Sequence, residues 1–346
     1  MRPRLIRAAL VTAVLGLAAP AAAHATLVYQ KGTTKYSVWV ADDDGSNARK
    51  LAGNAGLPRI SPDGQKVAYV AHLISRHPSI ATKPIAGGPP TEIVPHWGFG
   101  AVVWSPDSLH LLAITGSNFK KPNKLKLIDL VSGLKRTIAT GFISGMDFSP
   151  LGDQIVYGLQ LNQKSFPKAN LFITPTAGGD TRQLTTDGKS LNPLWGPTSI
   201  AYSRYHRPTG KHANQDGPKY NLFLIDPATG MSRQLTHDKV PFLLTGLTPA
   251  IWSLDGTKLL ADFVGQDTFY GVKVDPVTGE EHKVASLRRG DFKLPVTPTA
   301  ISDDGMTILG YAGYADSSDG YVITVPYAGG KPKVIVKHAI DPDWTG

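Results

Sequence analysis

Large apolar residues recur along the chain at a near-constant interval, each followed by a polar turn and a second apolar run. The first full copy is Ile60-Ser61-Pro62-Asp63-Gly64, resumed by Val67-Ala68-Tyr69-Val70. Ser, Pro, Asp and Gly in that order suit a type I turn, with Ser accepting at the first position and Pro pre-setting φ at the second. The β-branched and aromatic residues on either side predict strands. The pattern returns at Trp104-Ser105-Pro106-Asp107, Phe148-Ser149-Pro150-Leu151-Gly152, a weak copy Trp195-Gly196-Pro197, Trp252-Ser253-Leu254-Asp255-Gly256, Ile301-Ser302-Asp303-Asp304-Gly305 and Trp344-Thr345. Successive large residues are 44, 44, 47, 57, 49 and 43 positions apart. Short strands at a period near 45 residues are the signature of a propeller blade.

A second repeat lies between these copies: a strand, a glycine turn and another strand. Examples are Leu127-Ile128-Asp129 before Gly133, Leu171-Phe172-Ile173 before Gly178-Gly179, and Leu222-Phe223-Leu224 before Gly230. Several are followed by a short polar strand such as Arg182-Gln183-Leu184-Thr185 or Arg233-Gln234-Leu235-Thr236. Each blade therefore reads as a four-stranded antiparallel meander with the large apolar residue on its innermost strand. The expected fold is an all-β propeller of seven blades. Six is the alternative, should the copy at Trp195 or a terminal hairpin not form a proper blade. One blade is split between the ends, Thr26 to Gln30 supplying its second strand and Ile340 to Trp344 its first, which leaves no free sheet edge.

Composition refines this picture. The chain has 346 residues, 41% of them hydrophobic, with 36 Gly, 27 Pro and no Cys. That is enough for a core and many turns, and it excludes disulfides, thiolate metal sites and a cysteine nucleophile. Arg2, Arg4 and Arg7, then a short Ala-rich run and Ala23-His24-Ala25, read as a secretory signal over residues 1–25, with the propeller spanning 26–346 as one domain. No other stretch is long and apolar enough to span a bilayer. The net charge is +9. It is not gathered into a nucleic-acid-style run.

The motif Ser-Pro-Asp-Gly, preceded by a Trp or another large apolar residue and followed by a strand ending near Arg-Gln-Leu-Thr, resembles the TolB-type propeller repeat. Similar repeats occur in the propellers of prolyl oligopeptidase-like and tricorn-like proteases. The resemblance covers about Thr26 to Trp344. It implies the fold and, by analogy with TolB, a periplasmic protein that binds partner proteins. TolB carries a further N-terminal domain, for which only the signal-like segment stands here, so its particular role does not transfer.

Catalytic patterns are missing from the sequence. It contains no Gly-x-Ser-x-Gly elbow, no His-Glu-x-x-His and no Gly-x-x-x-x-Gly-Lys loop. Asp42-Asp43-Asp44-Gly45 lacks the alternating ligands and closing Glu of a calcium loop and reads as a hairpin turn. In a meander, the Ser-Pro-Asp-Gly and Gly hairpins share one face. The longer second-to-third and fourth-to-first connections share the other, where propellers usually bind. Those loops are basic, the longest holding Arg204, His206, Arg207, Lys211, His212 and Lys219. It reads as a removable insertion over His206 to Pro218. His96, His237 and His338 fall in three fourth-to-first loops aimed at the channel. The expected ligand-binding residues are His96, Arg204, His206, His237, Arg288 and His338, with no metal and no cofactor.

These features favour an exported, monomeric binding protein that presents a basic loop face to a protein partner or an anionic polymer. One alternative is a propeller enzyme, a lyase or hydrolase with a His/Arg site at the channel mouth. Lyases acting on acidic sugars or cyclic depsipeptides use channel-mouth histidines in a comparable way. Another is a structural component of an envelope assembly. Nucleic acid is not an expected partner.

Overall fold

The computed structural model describes residues 26–32, 34–75, 77–95, 101–116, 121–162, 166–210, 213–265, 268–313 and 320–345. Among them the strands group into four-stranded antiparallel meanders. Sheet A is Ala339–Trp344, Thr26–Lys31, Ser37–Asp42 and Arg49–Gly53, in that spatial order. Sheet B follows with Ala55–Ile60, Lys66–Ala71, Ser79–Pro84 and Thr91–Pro95. Sheet C is Val102–Trp104, His110–Thr115, Asn123–Asp129 and the first half of Lys135–Phe148. Sheet D takes the second half of that strand with Gln154–Gln160, Ala169–Pro175 and Arg182–Gln183. Sheet E is Ser190–Trp195, Ile200–His206, Lys219–Ile225 and Ser232–Gln234. Sheet F is Leu244–Trp252, Leu259–Gly265, Phe269–Val274 and Glu281–Lys283. Sheet G is Val296–Ile301, Thr307–Ala312, Tyr321–Pro326 and Lys333–Lys337.

The two chain ends share sheet A as expected. Leu27 lies opposite Trp344 and Lys31 opposite Ala339, while Thr26 N–H donates to Thr345 Oγ1 at 3.2 Å. The core lies between sheets rather than within any one. Val28, Val38 and Leu51 of sheet A pack on Ile60, Val67 and Tyr69 of sheet B. Similar clusters join B to C, C to D, D to E, E to F and F to G. Leu309 and Val322 of sheet G then meet Leu27 and Tyr29 of sheet A, closing the path. Each sheet is half-buried on both faces, so its strands carry apolar residues in near-continuous runs.

The turn chemistry accounts for the repeat. Ser61 Oγ accepts from Lys66 N–H at 2.9 Å and donates to Asp63 Oδ1 at 2.6 Å, and Gly64 N–H closes on the Ser61 carbonyl at 2.8 Å. Ser253 and Asp255 repeat the arrangement. Gly256 holds φ +69° with Pro197 of the neighbouring turn 3.2 Å from where a Cβ would stand, so only glycine fits without strain. The weak copy at Trp195 has a packing cause. A Cβ on Gly196 would meet the Trp252 indole at 2.6 Å.

The Arg-Gln-Leu-Thr strand is also a set of ties. Arg182 donates to the Pro227 carbonyl and Arg233 to the Pro276 carbonyl, each reaching the hairpin of the next sheet. Gln234 Nε2 donates to the Thr236 carbonyl at 2.8 Å. Leu235 is buried, and Thr236 Oγ1 accepts Leu222 N–H at 2.9 Å. Trp104 Nε1 donates to the Arg59 carbonyl at 3.0 Å and Trp252 Nε1 to the Leu194 carbonyl at 3.3 Å, which lace the innermost strands together.

Two features differ from the sequence reading. Sheets C and D share one continuous strand, Lys135–Phe148, where a loop was expected between blades. Gly141 and Gly145 sit within it, and Gly145 lies so close to Asn192 that a Cβ would stand 3.0 Å from its Cα. The connection from sheet F to sheet G, read as a loop bearing Arg288, contains a two-stranded hairpin, Leu287–Arg289 with Phe292–Leu294. Leu287 and Leu294 are buried in the F–G core, which is why it orders.

Candidate functional site: the loop face and the channel

Three of the expected residues meet on the loop face of sheets E and F. Strand alternation puts Arg204 and His206 on one side of Ile200–His206. The loop bearing His237 is pinned by Asn221, whose Oδ1 accepts from Thr236 Oγ1 at 3.0 Å and from Asp238 N–H at 2.8 Å. Together with Lys189 and Asp238, Arg204, His206 and His237 line a cavity of about 420 Å³. A second cavity of about 480 Å³ adjoins it at His206 and is lined by Arg207, Lys239 and Phe242.

These cations are not equivalent. Arg204 Nε is bound to Asp187 Oδ2 at 2.6 Å, and its guanidinium lies 5.1 Å from the Phe223 ring. Lys219 is spoken for as well: it is buried, with Asp216 Oδ1 at 2.7 Å and the Pro241 and Leu244 carbonyls at 2.8 and 2.7 Å. Lys189, Arg207 and Lys239 are exposed. Arg207 rests 4.2 Å from the centre of the Phe166 ring. Partial burial, then the charges of Lys219 and Lys189, hold the His206 imidazole below its ordinary pKa.

Two further expected residues, Arg288 and His338, do not join this cluster. Arg288 is exposed on the inserted hairpin, opposite Lys293. His338 is an exposed single-residue link between Lys333–Lys337 and Ala339–Trp344, with φ +55°. Neither lines the two cavities around His206. His96 lies outside the described residues. Among them there is no group of three His, Cys, Asp or Glu suited to a metal ion. Asp42 and Asp44 are turn residues, accepting from Asn47 Nδ2 at 2.6 Å and Ser46 N–H at 2.8 Å.

A further cavity of about 860 Å³, larger than these two, lies at the opposite end, where the Ser61-Pro62-Asp63-Gly64 turn opens onto the channel. Its walls include Arg59, Val103, Asp147, Leu194 and Asp343, each the residue just before a blade's large apolar residue. That position was readable in the sequence. It was overlooked because the repeat draws the eye to its neighbour. Six of the innermost strands carry a bulge that resets the alternation, and in three of them, at Leu57-Pro58, Asn192-Pro193 and Asp341-Pro342, the first residue has φ of +54°, +51° and +48°.

The channel carboxylates bridge sheets. Asp343 Oδ2 accepts Ile60 N–H at 2.9 Å, and Asp147 Oδ2 accepts Trp195 N–H at 2.8 Å. Burial pushes the Asp147 carboxyl up to about 7 against these bonds, and Asp343 up to about 6 although Arg59 and its own bonds pull it down. Asp262, nearby in sequence terms to neither, is pushed up to about 7 by burial alone, and its Oδ1 has no hydrogen-bond partner.

A pH dependence of stability follows. Carboxyls with raised folded pKa keep protons that the unfolded chain releases near its ordinary 3.8, so stability falls as pH rises from there to about 7. The turn aspartates act the other way. Hydrogen bonds hold Asp129 and Asp255 down at about 2, so their contribution is lost below the ordinary 3.8. Urea midpoints should therefore peak between about pH 4 and 5. Asp262→Asn should gain on the order of 2 kcal/mol at pH 8 and almost nothing near pH 4. An equal loss at both pH values would contradict the assignment.

No known family's sequence profile matches the chain, and no curated protein matches it. Solved structures do. The β-propeller domain of the Trilobed protease from Pyrococcus furiosus is 16% identical over 90% of this chain and 92% of its own, with a TM-score of 0.64. Oligogalacturonate lyase from Vibrio parahaemolyticus is 12% identical over 85% of each chain, with a TM-score of 0.58. TolB from Acinetobacter baumannii is 17% identical over 93% of this chain, with a TM-score of 0.49, and this chain spans 66% of its length. Among the described residues no helix is long and apolar enough to cross a membrane. In fold, with its Ser-Pro-Asp-Gly turns and shared terminal sheet, this chain is a β-propeller, similar to the Trilobed protease and oligogalacturonate lyase propellers.

Proposed function

We propose that this protein is an exported binding protein whose loop face, over sheets E and F, captures an anionic polymer or an acidic patch of a protein. In this reading residues 1–25 are a cleaved secretory signal and residues 26–346 form one ring of seven blades. The observation that carries it is the convergence of Lys189, His206, Arg207, His237 and Lys239 on two adjoining cavities. Arg204 and Lys219 are neutralised by Asp187 and Asp216, so the three exposed cations facing these cavities supply the attraction. Nothing in the described residues favours the enzyme alternative over this one.

The test is titration calorimetry with polygalacturonate, an acidic polysaccharide, and poly-L-glutamate, an acidic polypeptide. Binding of at least one is expected at about 0.05 M salt and a strong loss at about 0.5 M. Lys189→Ala/Arg207→Ala/Lys239→Ala should weaken binding roughly tenfold or more, about 1.4 kcal/mol. The wild type should bind more tightly as pH falls from about 7 to 5.5, because His206 gains a proton that a bound anion stabilises. Failure of both probes, or binding indifferent to salt and to the triple substitution, would overturn the reading.

A further inference from the structure

Binding was expected on the loop face, yet the hairpin face also holds a cavity, of about 860 Å³. Three independent features mark it. The first is its depth: the floor includes Asp147 and Asp343, whose carboxylates are fixed by backbone N–H bonds from the next sheet. No Lys, Arg or His among the described residues lies within ion-pair distance of either, and Arg59, the cation lining the same cavity, donates to the Pro58 carbonyl at 2.7 Å.

The second is the charge of the mouth. Asp63, Asp107, Asp255 and Asp304 stand at the turns of sheets B, C, F and G because the turn geometry needs them; partial burial of Asp63 and Asp107 opposes ionisation, but local hydrogen bonds and the nearby Lys66, His110 and Lys258 favour the ionised form. Asp303 adds a further carboxylate to the cavity wall. In a chain with a net charge of +9, the lining of this cavity thus carries four carboxyl groups, Asp63, Asp147, Asp303 and Asp343, against the single cation Arg59.

The third is an apolar rim with no structural use in the described residues. Leu254 lines the cavity at 69% exposure, and Leu151, two turns away and outside the cavity lining, is 87% exposed. Both occupy turn positions where the repeat elsewhere carries a proline or an aspartate. Trp104 and Trp344 form part of the wall behind them.

We infer that this end of the channel is a docking site for a partner protein that inserts a lysine or arginine side chain, flanked by apolar residues, towards Asp147 and Asp343. The aliphatic stem of such a side chain would pass Leu254 and the tryptophans while its charged head reaches the carboxylates. This surface lies at the opposite end of the channel from the basic loop face, so the two can be occupied together.

The probe is a capped Gly-Leu-Lys-Leu-Gly peptide, with its acetyl-lysine counterpart as control. Quenching of Trp104 and Trp344 fluorescence and two-dimensional NMR shifts read the binding. The lysine peptide is expected to bind at least tenfold more tightly than the acetylated one. Leu254→Lys places a cation on an exposed turn at the mouth, where the fold is indifferent to it, and should abolish binding. Asp147→Asn should weaken it about tenfold, its folding checked by circular dichroism. Lys189→Ala/Arg207→Ala/Lys239→Ala should leave it unchanged. Equal binding of the two peptides, binding of neither, or full binding by Leu254→Lys would overturn the inference.

Discussion

A chain ending at His338 should lose cooperative folding, with a deficit of roughly 5 kcal/mol or more, comparable with the whole stability of a typical domain. The removed strand, Ala339–Trp344, pairs with Thr26–Lys31 as the innermost member of sheet A. Without it the Thr26–Lys31 strand keeps one neighbour and exposes an edge towards the channel. Ala339 and Trp344 leave the G–A core, and Ile60 N–H of sheet B loses its acceptor on Asp343. The damage therefore reaches sheets A, B and G at once. A ring of sheets has no terminal cap to limit it. Urea unfolding followed by tryptophan fluorescence should show a broad, early transition, and adding a synthetic peptide of residues 339–346 should partly restore the sharp one. An unchanged midpoint in the shortened chain would mean that closure contributes little.

The architecture was legible because each repeat is dictated locally. Ser61, Asp63 and Gly64 satisfy one another within six residues, so the constraint leaves a mark in the sequence wherever it recurs. The pairing of the chain ends followed from counting strands, since an incomplete blade at each end fits only one partner. What escaped notice depends on contacts distant in sequence. The hairpin Leu287–Leu294 is polar and glycine-bearing at its tip, like a loop, and is ordered only because its two ends enter the F–G core. The glycine at position 196 looks like decay of the repeat until the Trp252 indole is seen to occupy the space of a side chain.

The loop face was half legible. Arg204, His206 and His237 could be placed on one face from strand order, and they do line a common cavity. Their neighbours' charges could not be apportioned, because a basic residue in a loop gives no sign of whether an acid has claimed it. Asp187 claims Arg204 and Asp216 claims Lys219. The channel carboxylates had a signal, since Asp147 and Asp343 occupy the same register as Arg59, Val103 and Leu194. Only the bulges at Ser144, before Asp147, and at Asp341-Pro342, before Asp343, show that this register turns inwards.

Lys219→Met is expected to cost about 3 kcal/mol, as a shift in urea midpoint without a change in slope. The side chain of Lys219 is 3% exposed and that of Asp216 7% exposed. Methionine fills a similar volume but removes all three donors at once. Asp216 Oδ1 would keep only the Gly217 and Leu243 N–H groups, and the Pro241 and Leu244 carbonyls would be left without the ammonium. A buried charge stripped of its partner is far costlier than a pair replaced whole, so Lys219→Met/Asp216→Leu should be less destabilised than the single variant. The same knot revises the reading of the long loop as freely removable. Excising residues 207–215 keeps Asp216 and should leave the midpoint nearly unchanged, whereas excising 206–218 removes the acid and should reproduce much of the Lys219→Met loss. If both deletions behave alike, the ammonium is held well enough by its two carbonyls and the ion pair is incidental.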